Sequence, residues 1–173
     1  NPAVSLPQSR KIQQALAKCE FVVVSDCVQH TDTTRYAHVL LPAQTWGERD
    51  GTVTNSERCI SRQRVFLNAP GDAQPDWWII SQVAARMGPG ESFSYTRSVD
   101  IFNERAARSA YKNGDSVDAA SRRDFNMSAL SQLSLQQYND MKPVQWPVIT
   151  NSPAGSGCQG TKRMFSDGRF FTD

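Results

Sequence analysis

Residues 46–64, WGERDGTVTNSERCISRQR, gather Glu48, Arg49, Asp50, Glu57, Arg58, Arg62 and Arg64 around a turn at Gly51 and an Asn55-Ser56 pair. Guanidinium groups present forked N–H donors and carboxylates accept from N–H pairs, so this set suits phosphate, ribose or base edges. No apolar stripe runs through the stretch, and core packing therefore does not account for it. A solvated charged loop is the plain alternative. A second chemical position is Ser25-Asp26, at the end of the run FVVVSD. An acidic side chain at the carboxyl end of a strand either accepts hydrogen bonds from a ribose or base edge or caps the following helix, and Asp26 suits both. Cys27 beside it reads as a small packing residue, because free cysteine is most often buried and inert. His30 and His38, the only histidines, share no metal-ligand spacing with cysteine or acidic partners and read as ordinary residues.

The elements that position these groups follow the apolar pattern. Asn1–Pro7 reads as a loop, and from Gln8 the residues Ile12, Ala15, Leu16 and Cys19 recur at helical spacing. Phe21–Val24 is a short β-branched run expected of a strand buried on both faces of a parallel sheet. A helix is expected from about Thr31, then a second strand over His38–Pro42, closed by its proline. Ile60–Leu67 alternates as a half-exposed strand. Pro75-Asp76 opens a helix that stops at Gly88, with Trp77, Ile80, Val83, Ala84 and Met87 as its core face. Trp77-Trp78 as a stacking platform is a second reading of that helix start. Amphipathic helices are expected over 98–111 and 128–138, joined by a long polar connection, and the tail from Pro143 is rich in Gly, Pro and Ser. The fold class is α/β: a Rossmann-like three-layer domain with a short, mostly parallel sheet and additional C-terminal helices. Residues 1–90 are the expected cofactor-binding core, and 91–173 a helical extension and connecting tail of the same domain.

Composition narrows the function. At 173 residues, 39% hydrophobic and 21% charged, the chain can bury one sizeable core, and its net charge of +2 gives no field that favours nucleic acid or a membrane surface. Cys19, Cys27, Cys59 and Cys158 form no C-x-x-C pair, which argues against a zinc or iron–sulfur site held by this chain alone. A disulfide framework is not expected at this size and apolar content, so a reducing compartment fits. No run of eighteen or more apolar residues marks a spanning helix. The start at Asn1 and the end at FFTD read as those of an excised piece of a longer protein.

Taken together, NPAVSLP, FVVVSD, VLLPAQTWGERDGTVTNSERCISRQR and APGDAQPDWWI resemble the large molybdopterin oxidoreductases, and within them most the assimilatory nitrate reductases. The specific part is the string from Trp46 to Arg64, and the closing TKRMFSDGRFFTD resembles the segment leading into that family's final cofactor domain. The resemblance implies a third-domain fragment that holds one guanine-dinucleotide arm of a bis-molybdopterin cofactor bearing molybdenum. Carried over by position, it implies Asn1 near the pterin side, Ser25 and Asp26 at the guanosine end, Arg49 against the dinucleotide and Asp76 as an acidic partner of the guanine. Asn55, Glu57, Arg58 and Arg62 match the string as well, and either touch the ligand or organise the loop. His38 departs from the pattern, standing where the family usually has Asp.

The resemblance also implies what lies elsewhere in the parent: the cysteines of a [4Fe–4S] centre and the domain that supplies the protein ligand to molybdenum. The implied reaction is reduction of nitrate to nitrite by a cytoplasmic enzyme, with an electron-donor protein or subunit and the remaining domains as partners. The fragment alone is expected to be monomeric and inactive, and to have no catalytic or metal-binding residue of its own. A formate dehydrogenase-like sibling and a stand-alone nucleotide-binding or scaffold domain are the alternatives.

Overall fold

The computed structural model describes residues 1–88, 90–113, 122–149, 160, 164–165 and 168–169. The expectations for the polar connection between the two C-terminal helices and for most of the tail lie largely outside them. The chain forms two compact units, one of Asn1–Arg49 with Arg64–Ser94 and the other of Asp50–Gln63 with Tyr95–Asp173.

The first unit is built on parallel pairing. Strand β1 (Val23–Asp26) runs beside β2 (Val39–Pro42), in a register that sets Val23 opposite Val39 and Asp26 opposite Pro42. A third segment extends the pairing: Ala43 bridges Gln74 in parallel, the Gln74 N–H donates to the Pro42 carbonyl at 3.1 Å, and the Gln44 N–H donates to the Gln74 carbonyl at 3.0 Å. Around this lie α1 (Pro2–Ser5), α2 (Ser9–Lys18) and α3 (Asp76–Met87). Proline at the first position of α1 loses no helix bond, since that N–H has no intrahelical partner in any case, so the expected loop at 1–7 contains a helical turn with Ala3 buried.

Between β1 and β2 the expected helix is a single 3-10 turn, Thr34–Tyr36. The cause is local. Thr31 and Thr34 cap the turn reciprocally, the Thr31 N–H donating to Thr34 Oγ1 at 2.7 Å and the Thr34 N–H to Thr31 Oγ1 at 3.1 Å, and the turn stops at Ala37, which is extended and leads into the bond from the His38 N–H to the Val22 carbonyl at 2.8 Å. Nor is β1 buried on both faces: its residues alternate between exposed and half-buried, and Phe21 just before it is 66% exposed. The core face expected of α3 also divides. Trp77 and Ala84 are half-buried beside the buried Ser81, whereas Ile80, Val83 and Met87, one turn apart on another face, are exposed.

In addition to the expected short parallel sheet of the first unit, the second unit carries an antiparallel sheet of its own. β3 (Gly51–Thr54) and β4 (Cys59–Gln63) form a hairpin, and β5 (Val144–Gln145) pairs with β4. The strand expected to reach Leu67 thus ends at Gln63. Helix α4 (Ser98–Ser109) lays Val99, Phe102 and Ala106 into a core shared with Ile60, Met127, Leu130, Tyr138, Val144 and Val148. These apolar positions recur at three and four residues, the spacing of one helix face. The helix expected over 128–138 is split into a 3-10 turn, Ser128–Leu130, and a short α5 (Leu135–Asn139). Ser134 makes the break. Its side chain accepts from the Gln137 N–H at 3.2 Å while Gln137 Oε1 accepts from the Ser134 N–H at 2.8 Å, a reciprocal cap that starts a new helix inside the apolar pattern.

Candidate functional site

The carboxyl ends of the parallel segments and the amino end of α3 meet in the first unit, and three of the five site residues expected from sequence come together there. Gln74 is extended, as the residue directly before a proline favours, and its pairing with the end of β2 places Pro75 and then Asp76 at the sheet's carboxyl edge. Asp76 occupies the first turn of α3, where unpaired N–H groups favour a negative charge. Its Oδ1 accepts from Ser25 Oγ at 3.0 Å, and its Oδ2 accepts from Arg49 Nη1 at 3.1 Å. Ser25 is the penultimate residue of β1, so strand, helix start and polar loop each contribute one group.

This constellation is open to water, with the Arg49 and Asp76 side chains 38% and 49% exposed. An exposed pair of that kind contributes little to folding, about 0–1 kcal/mol. It leaves a carboxylate with spare lone pairs and a partly exposed guanidinium with N–H donors beyond the one given to Asp76, a set that can take a base edge and an anionic oxygen at once.

Asp26 lies next to Ser25, but its Oδ1 accepts from the Val28 N–H at 3.0 Å. It closes a turn after β1 and does not cap a helix, since no helix begins there; its second oxygen has no hydrogen bond among the described residues. Asn1 stands apart from the cluster in its bonding: its Oδ1 accepts from Thr33 Oγ1 at 2.7 Å, and the same hydroxyl accepts from the Ala3 N–H at 3.1 Å. The structure thus joins Ser25, Arg49 and Asp76 directly, places Asp26 beside them in the chain, and ties Asn1 to Thr33.

The polar string itself divides in function. Thr45 and Glu48 form a reciprocal cap on the 3-10 turn Trp46–Glu48, so the Glu48 carboxylate is engaged by the Thr45 N–H at 2.8 Å. The T-x-x-E spacing is the signal that identifies this role in the sequence. Gly47 is buried, and its carbonyl accepts from the Phe66 and Leu67 N–H groups, both at 2.9 Å. A Cβ there would meet Leu67 Cδ1 at 2.8 Å and Phe66 Cζ at 2.9 Å, so a larger residue would push these two exposed side chains aside.

Beyond Arg49 the string folds into the hairpin of the second unit, and its polar groups organise that hairpin. Asn55 Oδ1 accepts from the Glu57 and Cys59 N–H groups, each at 3.0 Å, and Arg58 takes the left-handed conformation at φ 66°. The Arg58 guanidinium donates to the Trp146 carbonyl. Arg62 is 3% exposed; it donates to Asp50 Oδ1 at 2.6 Å and to the carbonyls of Gly51 and Gln63, and its guanidinium lies 3.8 Å from the Tyr138 ring centroid. Of the two roles open to Asn55, Arg58 and Arg62 in the sequence, the contacts in the structure are those of loop organisation.

Other residues with chemical potential are ordinary here. His38 Nδ1 accepts from the Val22 N–H at 3.0 Å and its ring stacks on Phe21. Cys27, expected as a packing residue, is exposed in the turn after β1. Among the described residues no group of three or more His, Cys, Asp or Glu side chains could hold a metal ion, and no helix is long and apolar enough to cross a membrane.

Residues 1–86, which contain all five expected site residues, match the sequence profile of the molybdopterin oxidoreductase family. The chain is 45% identical over 163 residues to a nitrate reductase of Klebsiella oxytoca, covering 94% of the chain and 18% of that protein. To the assimilatory nitrate reductase catalytic subunit of Bacillus subtilis it is 40% identical over 167 residues, 96% of the chain and 21% of that protein. An F420-dependent formate dehydrogenase subunit alpha of Methanocaldococcus jannaschii is 44% identical over 104 residues, 60% of the chain and 15% of that protein. The chain spans about a fifth of the length of the nitrate reductases it matches.

Proposed function

Because the chain belongs to the molybdopterin oxidoreductase family, we propose that it is the part of a molybdenum-dependent nitrate reductase that holds a guanine dinucleotide arm of the molybdopterin cofactor. The observation that carries the reading is the Ser25–Asp76–Arg49 constellation at the carboxyl edge of a parallel sheet. Ligands of open α/β sheets bind at that edge. The Asp76 carboxylate suits the paired N–H groups of a guanine, with Ser25 Oγ fixing its orientation, and Arg49 suits a phosphate of the same arm. Asp26 adds an acceptor for a ribose hydroxyl, and Asn1 a polar contact toward the pterin. The donor set fits the group by chemical type, and each side chain acts by binding and orientation.

When bound, the cofactor supplies molybdenum for the two-electron reduction of nitrate to nitrite and water. The chain contributes no acid, base or metal ligand to that step in this reading. The remaining domains of the parent supply the molybdenum ligand and the [4Fe–4S] cysteines, and an electron-donor protein or subunit supplies electrons, in the cytoplasm. Nitrate is favoured over formate as substrate because the likeness to nitrate reductases extends over 94–96% of the chain, while the likeness to the formate dehydrogenase covers 60%.

The test is cofactor retention in the parent enzyme. Asp76→Ala removes the partner of a guanine N–H pair, worth roughly 1–3 kcal/mol, and should lower cofactor affinity about tenfold to a hundredfold. Guanine nucleotide and molybdenum released on denaturation should fall together with nitrate reduction. Unchanged cofactor content in both Asp76→Ala and Arg49→Ala enzymes would sink the assignment.

A further inference from the structure

The second unit holds a cavity of about 440 Å³ between α4 and the segment around Arg123, lined by none of the residues proposed to hold the cofactor. Ile101 and Phe125 give it an apolar floor, and Arg105, Arg108 and Arg123 bring three guanidinium groups to its wall. The one acidic side chain in the lining, Glu104, is already engaged: it accepts from the Tyr95 hydroxyl and from Arg108 Nε. Arg123 is anchored, its Nη2 donating to the Tyr111 carbonyl at 2.6 Å, and Arg105 lies 5.8 Å from the centroid of the Phe125 ring. Arg105 and Arg108 are three residues apart on one helix face, an arrangement that costs a helix stability unless an opposite charge answers it. Within the lining, three positive groups face one negative group, so two positive charges are uncompensated over an apolar floor.

We propose that this cavity is a binding site for a small organic anion: a carboxylate or phosphate monoester carried on an apolar, ring-sized body. Small-molecule sites are mostly apolar with a few convergent polar groups, in volumes of roughly 300–1,000 Å³. The body lies against Ile101 and Phe125, and the anionic group is held by Arg105 and Arg123, each with N–H donors beyond those used in the contacts above. The Arg108 guanidinium answers the charge of Glu104, which would otherwise repel the ligand, and the Tyr95 hydroxyl holds that carboxylate in place.

The experiment is calorimetric titration of the full 173-residue chain with phenyl phosphate, benzoate and inorganic phosphate. Phenyl phosphate or benzoate is expected to bind about tenfold or more tightly than inorganic phosphate, since only they carry the apolar body. Their relative order assigns phosphate or carboxylate as the preferred group. Arg105→Gln and Arg123→Gln, both at exposed positions, should each weaken the tighter probe about tenfold with an unchanged thermal midpoint. Ile101→Trp should abolish binding by filling the floor; if that variant misfolds, the two surface variants decide. Absence of binding by either ring-bearing probe, or equal binding to the chain and to both arginine variants, overturns the proposal.

Discussion

Replacing Asp50 by alanine removes the carboxylate that answers a guanidinium almost wholly withdrawn from water. The Arg62 side chain is 3% exposed and that of Asp50 40%, with 2.6 Å between Arg62 Nη2 and Asp50 Oδ1. After the change Arg62 keeps only neutral acceptors, the carbonyls of Gly51 and Gln63 and Asn139 Oδ1, together with the face of the Tyr138 ring. Removing one partner of a buried pair costs about 3–5 kcal/mol, and the partial exposure of Asp50, which lets water take its place, sets the expectation near the low end, at about 3 kcal/mol. That figure includes the Ser98 hydroxyl, which also donates to Asp50 and would lose its acceptor. Asp50→Asn keeps an acceptor of the same shape and should cost about 1–2 kcal/mol. Urea unfolding of the chain reads both, at unchanged dependence on denaturant. The Arg62→Met change supplies the third corner of a double-mutant cycle, and in its background Asp50→Ala should cost far less than alone. A loss below about 0.5 kcal/mol for Asp50→Ala, or additivity in the cycle, would refute the view that a buried charge pair locks the hairpin.

Further outcomes follow from the same contacts. Hydrogen bonds from Tyr95 and from Arg108 hold the Glu104 carboxyl below its ordinary value of 4.5. A depressed carboxyl stabilises above its ordinary pKa and loses that contribution as pH falls through the folded value, so Glu104→Gln should flatten the acid limb of stability below about pH 5, as read by unfolding at stepped pH. At Asp100 burial works to raise the pKa, but bonds from the Thr96 N–H and hydroxyl and the Arg97 N–H outweigh it and lower the value, so Asp100→Asn should flatten the same limb. Ser134→Ala removes the hydroxyl that caps α5 and should cost about 1 kcal/mol in the same denaturation assay. Gln8 precedes α2 in the left-handed conformation, at φ 57°, with no side-chain cap; Gln8→Gly should raise stability by about 0.5–1 kcal/mol, and a drop of that size would show the side chain to be used.

The strands β1 and β2 were legible because a β-branched run closed by a polar pair or a proline has few other readings, α3 because Pro75-Asp76 and Gly88 mark its ends, and α4 because its apolar residues recur at helical spacing. What the sequence concealed was where short side chains bond the backbone. Thr31 and Thr34 cap a turn that ends at once in the extended Ala37, and Ser134 restarts a helix in the middle of an apolar pattern. Periodicity does not register such bonds, although the residue types that make them are visible. Burial was the other miss. Phe21, Ile80, Val83 and Met87 have core-like chemistry but are exposed among the described residues. Hydrophobicity shows that a residue seeks cover and does not show which part of a polypeptide provides it, and a helix apolar on more than one face is typical of the interior of a larger protein.

The polar string from Trp46 to Arg64 shows why a family motif cannot be read residue by residue as a list of ligand contacts. Its seven charged residues look equivalent in the sequence, yet Glu48 closes a turn, Arg62 is buried against Asp50 and Tyr138, and Arg49 remains exposed beside Asp76. For Arg62 to reach a phosphate, it would have to leave a carboxylate, two carbonyls and a ring face. Arg49 would exchange one exposed ion pair, worth at most about 1 kcal/mol, for a charge-assisted bond of comparable or greater strength. The two arginines should therefore separate experimentally: Arg49→Ala leaves the unfolding free energy of the chain within about 1 kcal/mol while lowering cofactor retention in the parent enzyme, and Arg62→Met lowers stability first. Loss of cofactor in a fully stable Arg62→Met enzyme would reverse that assignment and return the hairpin to the ligand.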